Sequence, residues 1–176
     1  MNSQDLDQIL EQVQFACFAG ASPGTVSAAM KKLALAQYPP AAGFFATCLK
    51  DRRQEWRAQA LLLLGYHYDL SGNPQALEAL RQMLKHDDDA QLRRKAAEIL
   101  ALYAVWPEQA LVDAMQSDPV ADVQFAAFQA ILELSGVPRT KVHDAVGMLR
   151  ASRRLPTMRD VEQMTQSSPQ KPRGLF

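Results

Sequence analysis

Two His-Asp pairs are the first residues in this chain whose types could perform chemistry. The pairs His86-Asp87 and His143-Asp144 are the kind of adjacent ligands that metal-dependent phosphohydrolases use. Such a site needs further histidines and carboxylates that converge on the metal ion. The chain has only one other histidine, His67. We therefore predict no metal site, and no other pattern in the chain predicts a catalytic group or a cofactor.

A loop with two glycines, GASPGT at residues 20–25, is the second candidate, because the backbone of a glycine-rich loop can hold a phosphate group. It lacks the Gly-Lys-Ser/Thr ending of a phosphate loop and follows a helical pattern instead of a strand. Ser22-Pro23 is typical of a helix start, with an N-cap followed by a proline that needs no N–H. The loop is predicted to be a turn between two helices.

Much of the chain consists of one helical segment in three copies, which begin at Asp51, Asp87 and Asp118. Five positions after each aspartate comes an apolar residue, then Arg or Gln, and three positions further on an alanine. The residues at these positions are Trp56, Arg57 and Ala60, then Leu92, Arg93 and Ala96, then Val123, Gln124 and Ala127. The copies are spaced by 36 and 31 residues, which is typical of helical repeat proteins.

Each copy is predicted to be the second helix of a hairpin. The first helix carries two apolar residues seven and three positions before the aspartate and begins beside a proline. These residues are Phe44 and Cys48 with Pro40, Leu80 and Leu84 with Pro74, and Leu111 and Met115 with Pro107. The same helical spacing predicts two helices before the copies, at about residues 4–19 and 23–37. It predicts two more after them, at about residues 139–152 and 158–165.

The pattern D-x4-[WLV]-[RQ]-x2-A-x2-[LIA]-[LI] resembles HEAT-like repeats over about residues 40–136, in particular the short phycobilin-lyase-like form of bacterial proteins. The resemblance implies an all-α fold, an α-α superhelix built as a solenoid of helical hairpins. In that family the turn aspartate and the base in the second helix form a ladder between repeats, interrupted here at Gln124. The ladder residues so implied are Asp51, Asp87, Asp118, Arg57 and Arg93.

We predict one compact domain over residues 1–154. It comprises an N-terminal capping hairpin at residues 1–39, three repeats at 40–136 and a last helix at 138–154. Residues 155–176 are predicted to be a short helix followed by a flexible basic tail. That tail could dock on a partner, fold back on the acidic repeats or remain a solvated end.

Charge and cysteine content indicate a cytoplasmic protein. The net charge is zero, but residues 51–138 carry thirteen acids and eight bases, whereas residues 139–176 carry three acids and eight bases. An acidic repeat body argues against nucleic acid as a partner. Two cysteines lie in apolar helical patterns, and neither a signal sequence nor an apolar run long enough to span a membrane is present.

Enzymes built from HEAT-like repeats are the alternative to a binding role. HEAT-like hydroxylases bind iron through His-Glu pairs, and this chain has none. HEAT-like DNA glycosylases suggest Trp56, Trp106 and Asp113, but Trp56 occupies the core column of the repeat. We therefore expect no enzyme, with a lyase-like or nucleic-acid-acting HEAT-type enzyme or enzyme subunit as the alternative.

The resulting hypothesis is a protein-protein interaction module, an adaptor, scaffold or chaperone-like protein, whose groove of second helices binds a partner protein. It could also be a subunit of a larger assembly. Phe125 and Phe128 lie off the main stripe and could form an interface or receive the C-terminal helices. Arg93 is expected to face a ladder carboxylate or an acidic partner. The partner-binding candidates are Arg57, Arg93, Arg94, Phe125, Gln129, Lys171 and Arg173.

Overall fold

The computed structural model describes residues 2–167, which form ten α-helices and one 3-10 helix and contain no strand. The 3-10 helix is Pro23–Val26. The α-helices in chain order are α1 Ser3–Phe18, α2 Ser27–Leu35, α3 Pro39–Cys48, α4 Gln54–His67, α5 Pro74–His86, α6 Ala90–Tyr103, α7 Gln109–Ser117, α8 Ala121–Leu134, α9 Arg139–Ala151 and α10 Met158–Gln166. The all-α prediction is confirmed, and the predicted tail residues Lys171 and Arg173 lie outside the described part of the chain.

A glycine follows two of the helices. Gly20 follows α1 with a φ of 81°, and Gly136 follows α8 with a φ of 80°. A residue without a Cβ adopts this left-handed conformation without steric penalty. After α1, the N–H of Ala21 donates to the carbonyl of Ala16 at 2.9 Å, which satisfies one of the last helical acceptors.

The second predicted helix begins later than the sequence suggests. Residues Pro23–Val26 form a 3-10 turn, and the α-helix starts only at Ser27. Gly24 and Thr25 are weak helix formers, and 3-10 turns are common at helix N-termini. The Ser22 hydroxyl accepts a hydrogen bond from the N–H of Gly24 at 3.2 Å, which holds this turn.

The three predicted repeats correspond to α3 with α4, α5 with α6, and α7 with α8. Residues at the predicted core positions of the second helices have at most 8% of their surface exposed. They are Trp56, Ala60, Leu63 and Leu64 in α4, Leu92, Ala96, Ile99 and Leu100 in α6, and Val123, Ala127, Ala130 and Ile131 in α8. Phe44 is only half-buried, and its neighbour Phe45 is the fully buried aromatic residue of α3.

The described residues form two compact units, divided between Ala79 and Leu80. Contacts in a repeat protein are local along the chain, because each repeat contacts mainly its neighbours. In the first unit, α2 packs against α1, α3 and α4. In the second unit, α8 packs against α6, α7, α9 and α10. None of the described helices has the length and apolar character needed to cross a membrane.

The shared alanines Ala60, Ala96 and Ala127, here called the alanine column, lie where no space is left for a larger side chain. Ala96 has no exposed surface, so a larger side chain has no free volume to occupy. Replacing Ala96 with leucine should lower the free energy of unfolding by about 1–3 kcal/mol. Urea denaturation measures the change, and Gln91→Leu on the exposed face of α6 is the matched control. An unchanged midpoint for Ala96→Leu would remove this residue from the core column.

Candidate functional site

The turn aspartates of the repeats have the same local role in all three copies. One carboxylate oxygen of Asp51, Asp87 and Asp118 accepts the backbone N–H two residues later, at 2.8, 3.0 and 2.9 Å respectively. This geometry is an Asx turn, which stabilises a tight change of chain direction. The aspartate therefore positions the start of each second helix.

The side chain six positions after each aspartate completes this turn. Arg57, Arg93 and Gln124 donate to the backbone carbonyl of the aspartate in their own repeat, at 3.0, 2.8 and 2.7 Å. An amide and a guanidinium can both supply this bond, so Gln124 keeps the contact within the repeat. The shared Asp and Arg/Gln positions thus stabilise the hairpin turn.

Arg93 also forms a buried ion pair with the aspartate of the next repeat. Its Nε and Nη2 donate to the two carboxylate oxygens of Asp118 at 2.7 and 3.0 Å. Each residue is only 8% exposed, and the carboxylate raises the pKa of Arg93. This arrangement has the geometry of a ladder rung. Of the two roles open for Arg93, a ladder carboxylate and an acidic partner, the structure favours the ladder carboxylate, because the buried guanidinium is engaged inside the protein.

Asp51 has a different cation, which the repeat pattern did not single out. Nε and Nη2 of Arg53 donate to the two oxygens of Asp51 at 2.9 and 2.8 Å, and this lowers the pKa of Asp51 to about 2. Arg53 also donates to the sulfur of Cys17 at 3.2 Å and lies over the ring of Trp56 at 5.4 Å. The corresponding residues of the other repeats are Asp89 and Val120, so comparison of the copies gave no signal for Arg53.

The depressed pKa of Asp51 predicts a stability that depends on pH. The folded state lowers this pKa, so the ion pair stabilises the protein above about pH 4 and loses its effect as the pH falls toward 2. Asp51→Asn should lower the free energy of unfolding at pH 7 by about 1 kcal/mol, allowing for solvent screening. Urea denaturation between pH 7 and pH 3 measures this, with the exposed Glu11→Gln as the control. A constant difference across that range would contradict the prediction.

Other predicted binding residues have partners inside the protein. Nε of Arg94 lies 3.3 Å from a carboxylate oxygen of Glu98. The exposed Gln129 donates to the carboxylate of Glu133 at 3.1 Å. A small surface pocket of about 240 Å³ is lined by Gln129, Glu133, Arg139, Val142, His143 and Val146. Arg57 is half-buried in its turn.

The expectation that Phe125 is exposed for partner binding is wrong, because this residue belongs to the core. It is 7% exposed, and Phe128 is fully buried. The guanidinium of Arg150 in α9 lies 4.6 Å from the centre of the Phe125 ring and also donates to Asp122 at 2.9 Å. The C-terminal helices α9 and α10 both pack against α8. Of the two roles open for this aromatic pair, the structure favours reception of the C-terminal helices.

The sequence reasoning also missed a second buried carboxylate. Glu108 is 6% exposed and accepts two hydrogen bonds from Nε of Arg81, at 3.0 and 3.1 Å, and one from Nη2 at 2.8 Å. Its carboxylate also accepts the N–H of Ala110 at the start of α7. This pair is a structural contact. Among the described residues, no group of three or more His, Cys, Asp or Glu side chains could hold a metal ion.

The first unit contains a larger cavity, here called the aromatic pocket, with a volume of about 540 Å³. It lies between the end of α1, helix α3 and the loop before α4. Its lining residues are Cys17, Phe18, Gly20, Phe44, Thr47, Cys48, Asp51, Arg52 and Arg53. The pocket is open to solvent, and its size falls within the range of cavities that bind ligands or side chains of a partner.

Two aromatic side chains of α1 stand exposed at this pocket or one turn from it. Phe18 lines the pocket and is 85% exposed, and Phe15 is 75% exposed. In the sequence both residues widen the apolar face of α1 toward its end, and this is the only signal for them. Phe44, which also lines the pocket, packs edge-on against the buried Trp56 with a centroid distance of 6.4 Å. We call Phe15, Phe18 and the aromatic pocket together the aromatic surface.

Taken together, the paired helices, the repeated turn and the buried alanine columns define an all-α helical repeat protein. A family model described as HEAT repeats matches residues 41–132, just over half of the chain. The chain belongs to the HEAT repeat family. No curated protein and no solved structure was found to match it.

Proposed function

We propose that this HEAT repeat protein is a non-catalytic protein-protein interaction module, an adaptor or scaffold, and that the aromatic surface binds its partner. HEAT repeats commonly mediate protein-protein interaction, which supports the general class. The proposed surface differs from the groove of second helices predicted from the sequence. Arg93 and Phe125, two of the residues expected to line that groove, are buried.

The observation that carries the proposal is the exposure of Phe15 and Phe18 beside the aromatic pocket. An isolated exposed apolar residue is common on soluble proteins, but adjacent exposed aromatic rings next to an apolar cavity are typical of binding surfaces. Aromatic residues are also enriched among the residues that contribute most to protein-protein affinity. Burying these rings against a partner would remove their apolar area from water.

The walls of the aromatic pocket are held by contacts within the first unit. Trp56 donates from Nε1 to the carbonyl of Ala21 at 2.9 Å, and Phe44 packs against its ring. Arg53 connects the loop before α4 to Cys17 of α1. A binding surface built on such fixed elements loses little conformational entropy when a partner binds. This supports a docking role for the surface.

Affinity capture tests the proposal. The tagged full chain and the double variant Phe15→Ala/Phe18→Ala are compared in a native lysate, with mass spectrometry of the retained proteins. Val105→Ala, which truncates a residue that is 75% exposed elsewhere in the chain, is the matched control. We expect a specific protein to be retained by wild type and control and lost from the double variant, with equal melting temperatures. Retention of the same proteins by all three chains would contradict the proposal.

We also propose a repeat subtype, a place in a larger assembly and a cellular location for this protein. The repeat pattern supports the short phycobilin-lyase-like subtype of bacterial proteins, and a role as a subunit of a larger assembly is compatible with an exposed aromatic surface. Free thiols at Cys17 and Cys48 support a cytoplasmic location, because reducing compartments keep cysteines unpaired. Nothing in the described pocket favours the alternative of a lyase or a nucleic-acid-acting enzyme.

A further inference from the structure

The inner walls of the aromatic pocket are suited to a bulky apolar side chain. Phe18 and Phe44 supply two rings, and Cys17 and Cys48 supply sulfur atoms. Burial raises the pKa of the Cys48 thiol to about 12, so this group stays protonated and uncharged at neutral pH. A volume of about 540 Å³ holds an aromatic or long aliphatic side chain with space for neighbouring atoms.

The rim of the pocket has a positive charge that is not neutralised. Asp51 and Arg53 both line the pocket, and they neutralise each other through two hydrogen bonds. Arg52 lines the same pocket and is exposed, and Lys50 before it is exposed as well. Within residues 2–167 neither of these two side chains forms an ion pair.

We propose that the partner segment bound at the aromatic pocket is an acidic peptide that carries an aromatic or long aliphatic anchor close to a carboxylate. This inference rests on the proposed function and gives its partner a chemistry. The anchor enters between Phe18 and Phe44, and the carboxylate binds the exposed guanidinium of Arg52. A charge-assisted hydrogen bond of this kind fixes the direction of the bound peptide and disfavours basic segments.

A second copy of the chain is the competing occupant, because its helix α1 also carries a carboxylate close to an aromatic ring. Glu11 and Phe15 lie on the same face of α1, one turn apart. Sedimentation equilibrium of the full chain distinguishes the two. We expect a monomer, with the pocket open for a different protein. A dimer that dissociates on Phe18→Ala would make the second copy the occupant and overturn the inference.

The direct test is selection of peptides from a random phage-displayed library on the immobilised full chain. Enriched sequences are synthesised with a fluorescent label and titrated by anisotropy. We expect them to combine Phe, Trp, Leu or Met with Asp or Glu within a few positions. Their affinity should fall about tenfold or more for Phe18→Ala and for the charge reversal Arg52→Glu. Arg159→Glu, at an exposed arginine of α10, is the matched control and should bind as wild type does.

The outcomes distinguish failure of the acidic-peptide inference from failure of the proposed function. Peptides that depend on Phe18 but lack acidic residues, or that tolerate Arg52→Glu, would overturn the acidic-peptide inference and leave the interaction surface intact. Selection that returns no peptide dependent on Phe15 or Phe18 would contradict the proposed function itself. Unchanged melting temperatures of the variants ensure that lost binding does not reflect unfolding.

Discussion

Replacing Arg93 with alanine should lower the free energy of unfolding by about 3–5 kcal/mol. The substitution leaves the carboxylate of Asp118 buried without its bidentate cation. It also removes the donor to the carbonyls of Asp87 and Asp88, which Nη1 of Arg93 reaches at 2.8 and 3.3 Å. The cost arises from an uncompensated buried charge together with two carbonyls that lose their donor.

Equilibrium urea denaturation of the purified chain measures this effect. Arg94→Ala is the matched control. The side chain of Arg94 is 39% exposed, so its ion pair should contribute less than about 1 kcal/mol to the free energy of unfolding. The double variant Arg93→Met/Asp118→Leu should recover only the part of the loss that comes from the unpaired carboxylate. The carbonyls of Asp87 and Asp88 and the N–H of Val120 still lack their partners in it. A loss below about 1 kcal/mol for Arg93→Ala would show that the pair does not stabilise the repeats.

Replacing Trp56 with alanine should also destabilise the protein by about 3–5 kcal/mol. Trp56 is among the largest fully buried side chains, and its removal leaves a cavity below Phe44 and beside Arg53. The indole N–H donates to the backbone carbonyl of Ala21, so the same substitution releases the turn after α1 from helix α4. We expect the walls of the aromatic pocket to loosen with it.

Two variants separate the contributions at this position. Trp56→Phe keeps most of the apolar volume and loses the indole hydrogen bond, so a smaller loss of about 1–2 kcal/mol is expected. Trp106→Ala, at the half-buried second tryptophan, is the control for removal of an indole and should cost less than Trp56→Ala. Chemical denaturation followed by circular dichroism applies to all three chains. An equal cost for the two alanine variants would contradict the core position of Trp56.

The local features of the fold could be predicted because they repeat along the chain. The three copies share a helical period, which places Ala60, Ala96 and Ala127 at one repeat position, and all three are buried. Gly20 and Pro39 lie at helix boundaries, and the backbone preferences that put them there are local properties. Burial by period and termination by glycine or proline act over a few residues, which is the range that a sequence pattern records.

The candidate site depended on contacts that the repeat pattern does not record. Phe15 and Phe18 have the same apolar character as core residues, yet both are exposed, because no described residue of the first unit covers them. Arg53 occupies a position that the other repeats fill with Asp89 and Val120, so comparison of the copies concealed it. Residue type alone therefore did not distinguish a binding surface from the core.

The amino-acid sequence by itself determined the repeat, its hairpin turns and its buried columns, since these follow from short-range periodicity and backbone preference. Only the tertiary structure decided between the two roles open for Arg93, a ladder carboxylate and an acidic partner, and showed that α9 covers Phe125. It also decided that the loop before α4 brings Arg52 to the aromatic pocket. The physical reason is that these contacts join residues distant in the chain, whose meeting depends on how whole helices pack.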